Sequence, residues 1–269
     1  MKNVLTIAGS DTCGGAGIQA DIKTFSAHGT YAMSVITAVT VQNTQGVFGC
    51  QDISPEIIAG QIDAIFTDIF DVSAVKIGMV SKIETINTIV DRLIEYKPKN
   101  IVVDPVMISK SGFDLLVPEA KNALIKRLIP LATVLTPNLP EAEAITSMKI
   151  DTVEQMKEAA IKIYEMGTKY VFVKGGHLEN DATDILYDGE TFLVLNSKRY
   201  ETKNTHGTGC TISSAIAANL ANGLDVQTSV TRAKEYISTA IEHSFSIGKG
   251  VGPTNHFYSL YKKAGLINE

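Results

Sequence analysis

Short apolar runs recur along the chain, and segments of helical spacing separate most of them. NVLTIAG (3–9), SVITAVTV (34–41), AVKIGMV (74–80), NIVVDPVM (100–107), TVLTPN (133–138) and YVFVKGG (170–176) are rich in Val and Ile and read as strands. Between them, residues 18–29, 55–70, 82–96, 118–131 and 152–167 carry helical patterns. In 82–96, Ile86, Ile89, Val90 and Leu93 fall on one face, as an amphipathic helix requires. Strands alternating with helices of this length predict βαβ units and a mainly parallel sheet covered on both faces. Residues 183–200 break the rhythm: TDILYDGETFLVLNSKRY reads as two strands joined at Asp188-Gly189, a β-hairpin. Two further helical patterns follow at 211–222 and 226–246, then a glycine-rich stretch at 248–253. No composition shift marks a linker and no repeat is visible, so residues 1–269 are expected to form one α/β domain.

Composition adds exclusions. Apolar residues make up 45% and charged residues 20% of the 269 residues, enough to fill a large core. The net charge of −5 is spread along the chain without a basic run, which argues against nucleic acid or an anionic membrane as partner. Cys13, Cys50 and Cys210 share no CxxC spacing and are too few for a disulfide framework or a zinc site. No apolar span of about 18 residues occurs and the first residues lack a signal-peptide pattern. The expected setting is the cytoplasm, with reduced thiols.

The candidate chemistry gathers where strands end. The first strand empties into AGSDTCGGAGIQAD, the fourth into DPVM, the fifth into TPNLPEAE and the sixth into KGGH. Ligands of open parallel sheets collect at those carboxyl ends. GxxxxGK[ST], GxGxxG after the first strand, HExxH and GxSxG are all absent. The glycine-rich loop that does precede a convincing helix is NTHGTGCTISSAIAANLANG (204–223). Its helix is expected to start near Cys210 or Thr211, leaving the amides of Gly207, Thr208, Gly209 and Cys210 as an anion site. A plain tight turn explains the glycines equally well. Asp104 and Glu141 could converge on one Mg²⁺ ion, or be a turn cap and a first-turn helix acid. Lys174 could meet a transferring phosphate, or merely snorkel at a strand end. Cys210 could be filler, a nucleophile or a proton acceptor whose pKa a helix N-terminus and nearby cations would lower.

Taken in order, AGSDTCGGAGIQADIKTFSAHGTYAMSVITAVTVQNTQGV, KIGMV, VVDPVM, TPNLPEAE, VKGGH and NTHGTGCTISSAIA resemble the bacterial hydroxymethylpyrimidine/phosphomethylpyrimidine kinases. These are thiamine-pathway enzymes of the ribokinase-like superfamily. The resemblance runs from about residue 4 to VGPTNHF at 251–257. It implies a ribokinase-like three-layer α/β/α sandwich with a central, mostly parallel sheet, usually as a homodimer. It also implies ATP- and Mg²⁺-dependent phosphorylation of a pyrimidine alcohol and then of its monophosphate. Carried over by position, Gly9, Asp21, Gln42, Met79 and Val106 line the pyrimidine site. Asp104 and Glu141 are the Mg²⁺-associated acids, Lys174 the phosphate-contacting lysine, Gly207 to Cys210 the anion hole, and Cys210 the proton acceptor. A vitamin B6 kinase is the closest rival; the Gln42 amide, offering a donor and an acceptor, favours an aminopyrimidine edge. From other classes, tight NADH binding would revive an oxidoreductase, and absence of ATP consumption with every alcohol a binding protein.

Overall fold

The computed structural model describes residues 1–108, 112, 114–176 and 182–267. The elements in chain order are β1 (Asn3–Ser10), α1 (Gly17–Ala27), β2 (Tyr31–Asn43), β3 (Gly46–Asp52), α2 (Pro55–Asp68), β4 (Val72–Ile77), α3 (Ile83–Tyr96) and β5 (Ile101–Val103). Then come α4 (Lys121–Ala123), β6 (Val134–Leu135), α5 (Leu139–Thr146), α6 (Val153–Tyr164), β7 (Tyr170–Gly175), β8 (Ala182–Tyr187), β9 (Phe192–Ser197), α7 (Thr208–Ala221), α8 (Val226–Glu242) and α9 (Tyr258–Lys263). The strands form one sheet in the order β3-β2-β1-β4-β5-β6-β7-β8-β9. From β2 to β7 the pairs are parallel, and β3, β8 and β9 add antiparallel edges.

Strand periodicity sorts the core into two layers. Leu5, Ile7, Val75, Ile77, Val103, Leu135 and Val171 face α2, α3 and α6. Val4, Ala74, Val102, Val134 and Phe172 face α1, α7 and α8. This is the expected three-layer sandwich. The central helix α7 is buried without interruption from Thr211 to Ala221, and its Ser and Ala residues let α1, α8 and the sheet all approach. So enclosed a helix has little freedom to tilt, and its N-terminus is held in place.

The expected strands and helices are present, with four departures. β2 runs on to Asn43 and turns back as β3, because pairing with β2 makes a strand of a segment whose Gly46, Gly49 and polar residues dilute the pattern. Val41 pairs with Gly49 and Gln42 with Val47, leaving Phe48 as a bulge. Residues 118–131 wind unevenly, through 3₁₀ turns at Pro118–Ala120 and Ile129–Leu131 and a π turn at Leu124–Leu128. Two short helices, α5 and α9, were not legible as patterns; α5 is started by an Asn138/Glu141 capping box. α7 begins at Thr208, ahead of the Cys210 or Thr211 start expected. Among the described residues no helix is long and apolar enough to cross a membrane.

Candidate active site

β1 leads to β2 on one side and the chain returns to β4 on the other, so a crevice opens past the carboxyl ends of β1 and β4. A cavity of about 530 Å³ occupies it and extends toward the β8–β9 hairpin and α8. Gly9, Gln42, Met79, Val106, Asp104, Glu141, Lys174 and Gly207 to Cys210 all line it. Gly9 lies close to Met79: a Cβ there would sit 2.9 Å from Met79 Sδ and displace that side chain.

Asp21 is a correction. It has no exposed surface and lies beneath the cavity floor, not in its wall. Thr6 and Lys76 are register partners on β1 and β4, one layer below Ala8 and Gly78, and both face α1 and α7. Asp21 accepts from Lys76 Nζ at 2.9 Å on both oxygens, from Thr6 Oγ1 at 2.6 Å on Oδ2 and from Ser214 Oγ at 2.7 Å on Oδ1. A carboxylate on α1 at this depth can be satisfied only by such partners. Burial would push the Lys76 ammonium down, but the Asp21 charge overrides it and holds the group above its ordinary value.

The same strand parity brings Asp104, Thr136 and Lys174 together. Asp104, Thr136 and Lys174 follow Val102, Val134 and Phe172 by two residues, so all three face α7 at the ends of β5, β6 and β7. Lys174 Nζ donates to Asp104 Oδ1 at 2.8 Å and Thr136 Oγ1 to the same oxygen at 3.2 Å. Glu141 accepts from the Asn138 amide at 2.8 Å, so it is a capping acid as well as a wall of the cavity. Burial pushes Glu141 up to about 7, with Lys174 opposing and Asp104 adding to the rise. Two hard carboxylates at this end of the cavity, close enough to repel each other, fit a divalent cation.

Helix α7 aims its first turn at that group. Thr211 N to Gly207 O (2.8 Å) is the first turn-closing amide bond, so the Gly209 and Cys210 amides lie ahead of it. A Cβ on Gly209 would lie 3.4 Å from both Asp104 Oδ2 and Lys174 Nζ. Gly207 has φ +77°, and a Cβ there would be 1.7 Å from Gly15 O. Gly207→Ala is therefore expected to displace the first turn, lower the stability by about 1–3 kcal/mol and cut turnover at least about 10²-fold. Steady-state kinetics on a variant shown folded by circular dichroism checks it; near-normal turnover would leave the amides without a role.

Cys210 corrects an electrostatic expectation. Burial pushes its thiol up to about 11; Lys76 opposes this, while Asp21 and Asp104 reinforce it. Cations and a helix N-terminus are present, yet removal from water outweighs them.

Asp11, Lys76 and Thr136 escaped the sequence reading, and His206 entered it only through the backbone of the glycine-rich loop. A lysine inside the apolar run AVKIG was the available signal, since a strand buried on both faces has no water to offer it. Asp11, Cys13 and His206 place one ligand atom each within 4.8 Å of one another. Asp11 is already occupied by the amides of Cys13, Gly15 and Ala16, and its charge with burial pushes the Cys13 thiol up to about 11. The group is therefore built as an internal cap and not as a metal nest. Residues 248–253 do not line the cavity; Val251 N and Gly250 N bind Thr44, clasping the β2–β3 turn. Ser197, Lys198, Arg199, Tyr200 and Thr202, at and beyond the end of β9, contribute to the cavity wall. His177, the last residue of KGGH, lies outside the described residues.

A ribokinase-like sandwich with a helix N-terminus facing an acid–lysine pair defines a small-molecule phosphotransferase. The sequence profile of the phosphomethylpyrimidine kinase family matches residues 11–255. The chain belongs to that family. It is 52% identical, over 96% of its length and 98% of the other, to the hydroxymethylpyrimidine/phosphomethylpyrimidine kinase of Rhizobium meliloti (strain 1021). A crystal structure of phosphomethylpyrimidine kinase from Clostridium difficile 630 superposes with TM-score 0.81 at 54% identity, covering 90% of this chain and 100% of that one. An ADP complex of Bacillus subtilis pyridoxal kinase gives TM-score 0.89 at 43% identity, covering 96% and 98%.

Proposed function

We propose that this chain phosphorylates 4-amino-5-hydroxymethyl-2-methylpyrimidine with ATP, and then the monophosphate to the diphosphate, as a step of thiamine biosynthesis. The observation carrying this is the meeting, in one cavity, of the Gln42 amide, the Cys210 thiol and the first amides of α7. Gln42 and Met79 hold a flat ring, with Val106 beside it. The Cys210 Sγ, as its thiolate, lies toward the hydroxymethyl group and takes its proton, becoming the thiol, as the new O–P bond forms and the bond to the ATP leaving group breaks. The amides of Gly207, Thr208 and Gly209 hold the migrating charge from the helix side and Lys174 holds it from the strand side. Asp104 and Glu141 would hold Mg²⁺, which neutralises phosphate charge when bound. ATP supplies the phosphoryl group, and its chain fits the arm of the cavity lined by Lys198, Arg199, Tyr200 and Ile241.

A coupled assay comparing the pyrimidine alcohol, its monophosphate and pyridoxine tests the reading. ADP release with the first two supports it, and release with pyridoxine alone overturns it. The likeness to the B. subtilis pyridoxal kinase favours a second activity on pyridoxine-type alcohols, which the same assay measures.

The working form we infer is a homodimer. Val39, Val41 and Phe48 are 45, 63 and 66% exposed on the β2–β3 hairpin, an apolar stretch that a second copy would cover. Val41→Glu is expected to weaken association at least about tenfold, read by sedimentation equilibrium; a wild-type monomer at micromolar concentration would refute it.

A further inference from the structure

Gln42 is held on both sides, and the two contacts agree on how its amide must be turned. On one side the carboxamide lies 3.2 Å from His206 Nε2. That ring nitrogen also lies 2.8 Å from Asp11 Oδ2. Asp11 accepts from the amides of Cys13 at 3.0 Å, Gly15 at 3.0 Å and Ala16 at 2.8 Å. Burial pushes its carboxyl up, but His206 and these amides outweigh this and hold it well below the usual carboxylate range. An ionised carboxylate only accepts, so His206 Nε2 must carry a proton to meet it. A protonated ring nitrogen cannot also accept from an amide NH₂. The carbonyl oxygen therefore belongs on this side, where the structure draws Gln42 Nε2 toward His206 and Oε1 toward Thr40, two ends of an amide that are isosteric.

On the other side the carboxamide lies 3.3 Å from Thr40 Oγ1. The Thr40 hydroxyl proton is given to Ser10 O at 2.8 Å, which leaves a lone pair toward Gln42. That lone pair requires the Gln42 NH₂. Both neighbours select the same one of two isosteric orientations. The His206 ring packs close on Gly15, where a Cβ would lie 2.4 Å from its Cδ2, and the His206 backbone amide donates to Gly252 O at 3.0 Å.

We propose that Asp11 and His206 form a positioning pair that locks the Gln42 carboxamide with its oxygen toward His206 and its NH₂ toward Thr40. The pair thereby sets the order in which Gln42 offers acceptor and donor to the ring in the cavity. It is a specificity device for a ring edge carrying an amino donor beside a ring-nitrogen acceptor, and it rests on the substrate reading above. Both residues also line the cavity wall, and the role assigned to them here is exerted through Gln42.

Two measurements test it. In ¹⁵N-histidine-labelled protein, assigned through loss of one signal in His206→Gln, His206 Nε2 is expected to show the shift of a protonated, pyrrole-type nitrogen. A bare, pyridine-type Nε2 overturns the proposal without reference to activity. In kinetics, wild type is expected to prefer the aminopyrimidine alcohol over the same ring lacking the amino group. His206→Leu should shrink that preference about tenfold or more through KM, with kcat changed less. His206→Gln, which keeps an N–H donor at the Nε2 position, should restore it. An unchanged preference in His206→Leu, or equal loss in both variants, overturns the proposal. Wild-type protein that phosphorylates neither ring defeats the substrate reading alone, since the nitrogen spectrum still decides the pairing.

Discussion

Cys210→Ala is expected to lose about 10²- to 10⁴-fold in turnover, the range for removal of a positioned proton acceptor. The thiol sits in the first turn of α7, at the cavity and above the buried Lys76–Asp21 pair. With the thiol held near 11, only about one chain in ten thousand carries the thiolate at neutral pH before ligands bind. Turnover of the wild type should therefore climb steadily with pH through the range 8 to 10. Alkylation of Cys210 by iodoacetamide, followed by peptide mass spectrometry, should climb in parallel. Cys210→Asp carries an acceptor that is ionised across that range, so part of the lost rate should return with a flatter profile. Near-normal turnover in Cys210→Ala would reduce the residue to filler. A phosphocysteine trapped on the wild type would replace direct transfer with a covalent route.

The largest stability effect is expected at Asp21, behind the site. Asp21→Asn leaves the Lys76 ammonium in the core without its counter-charge and replaces a carboxylate oxygen that accepts from it by an amide NH₂ or a neutral carbonyl. Leaving one member of a buried pair uncompensated costs about 3–5 kcal/mol. At roughly 2–4 °C per kcal/mol for a chain of this size, the thermal midpoint should fall by on the order of 10 °C. Lys76→Met added to Asp21→Asn should recover most of that loss. The remaining amide can then serve Thr6 and Ser214, and no charge is stranded. A fall below about 1 kcal/mol in the single variant, read by calorimetry, would mean that water reaches the pair.

Much of this molecule is local and was legible in the chain. The alternation of Val- and Ile-rich runs with helical patterns specifies a parallel sheet between helices, because each element carries its own periodicity. The order of AGSDTCGGAG, DPVM, TPNLPEAE and THGTGC places the chemistry at strand ends, because strands of a parallel sheet all finish at one edge. β3 was hidden, since its strand character comes from β2 and not from its own residues.

Three matters waited for the tertiary structure. Asp21 reads as a ligand-lining acid in the sequence, but strand register puts Lys76 and Thr6 against it and seals it under the floor. Cys210 reads as a thiol activated by its helix, but partial burial at the cavity wall, with the Asp21 and Asp104 charges nearby, pushes its thiol the other way. His206 and Asp11 are separated by 195 residues, and only the folded chain brings them to Gln42. Sequence determines which elements form and which ends carry polar groups, because propensity and periodicity act over a few residues. Charge state, hydrogen-bond polarity and access depend on which distant groups exclude water from a side chain, and that is a property of the packed whole.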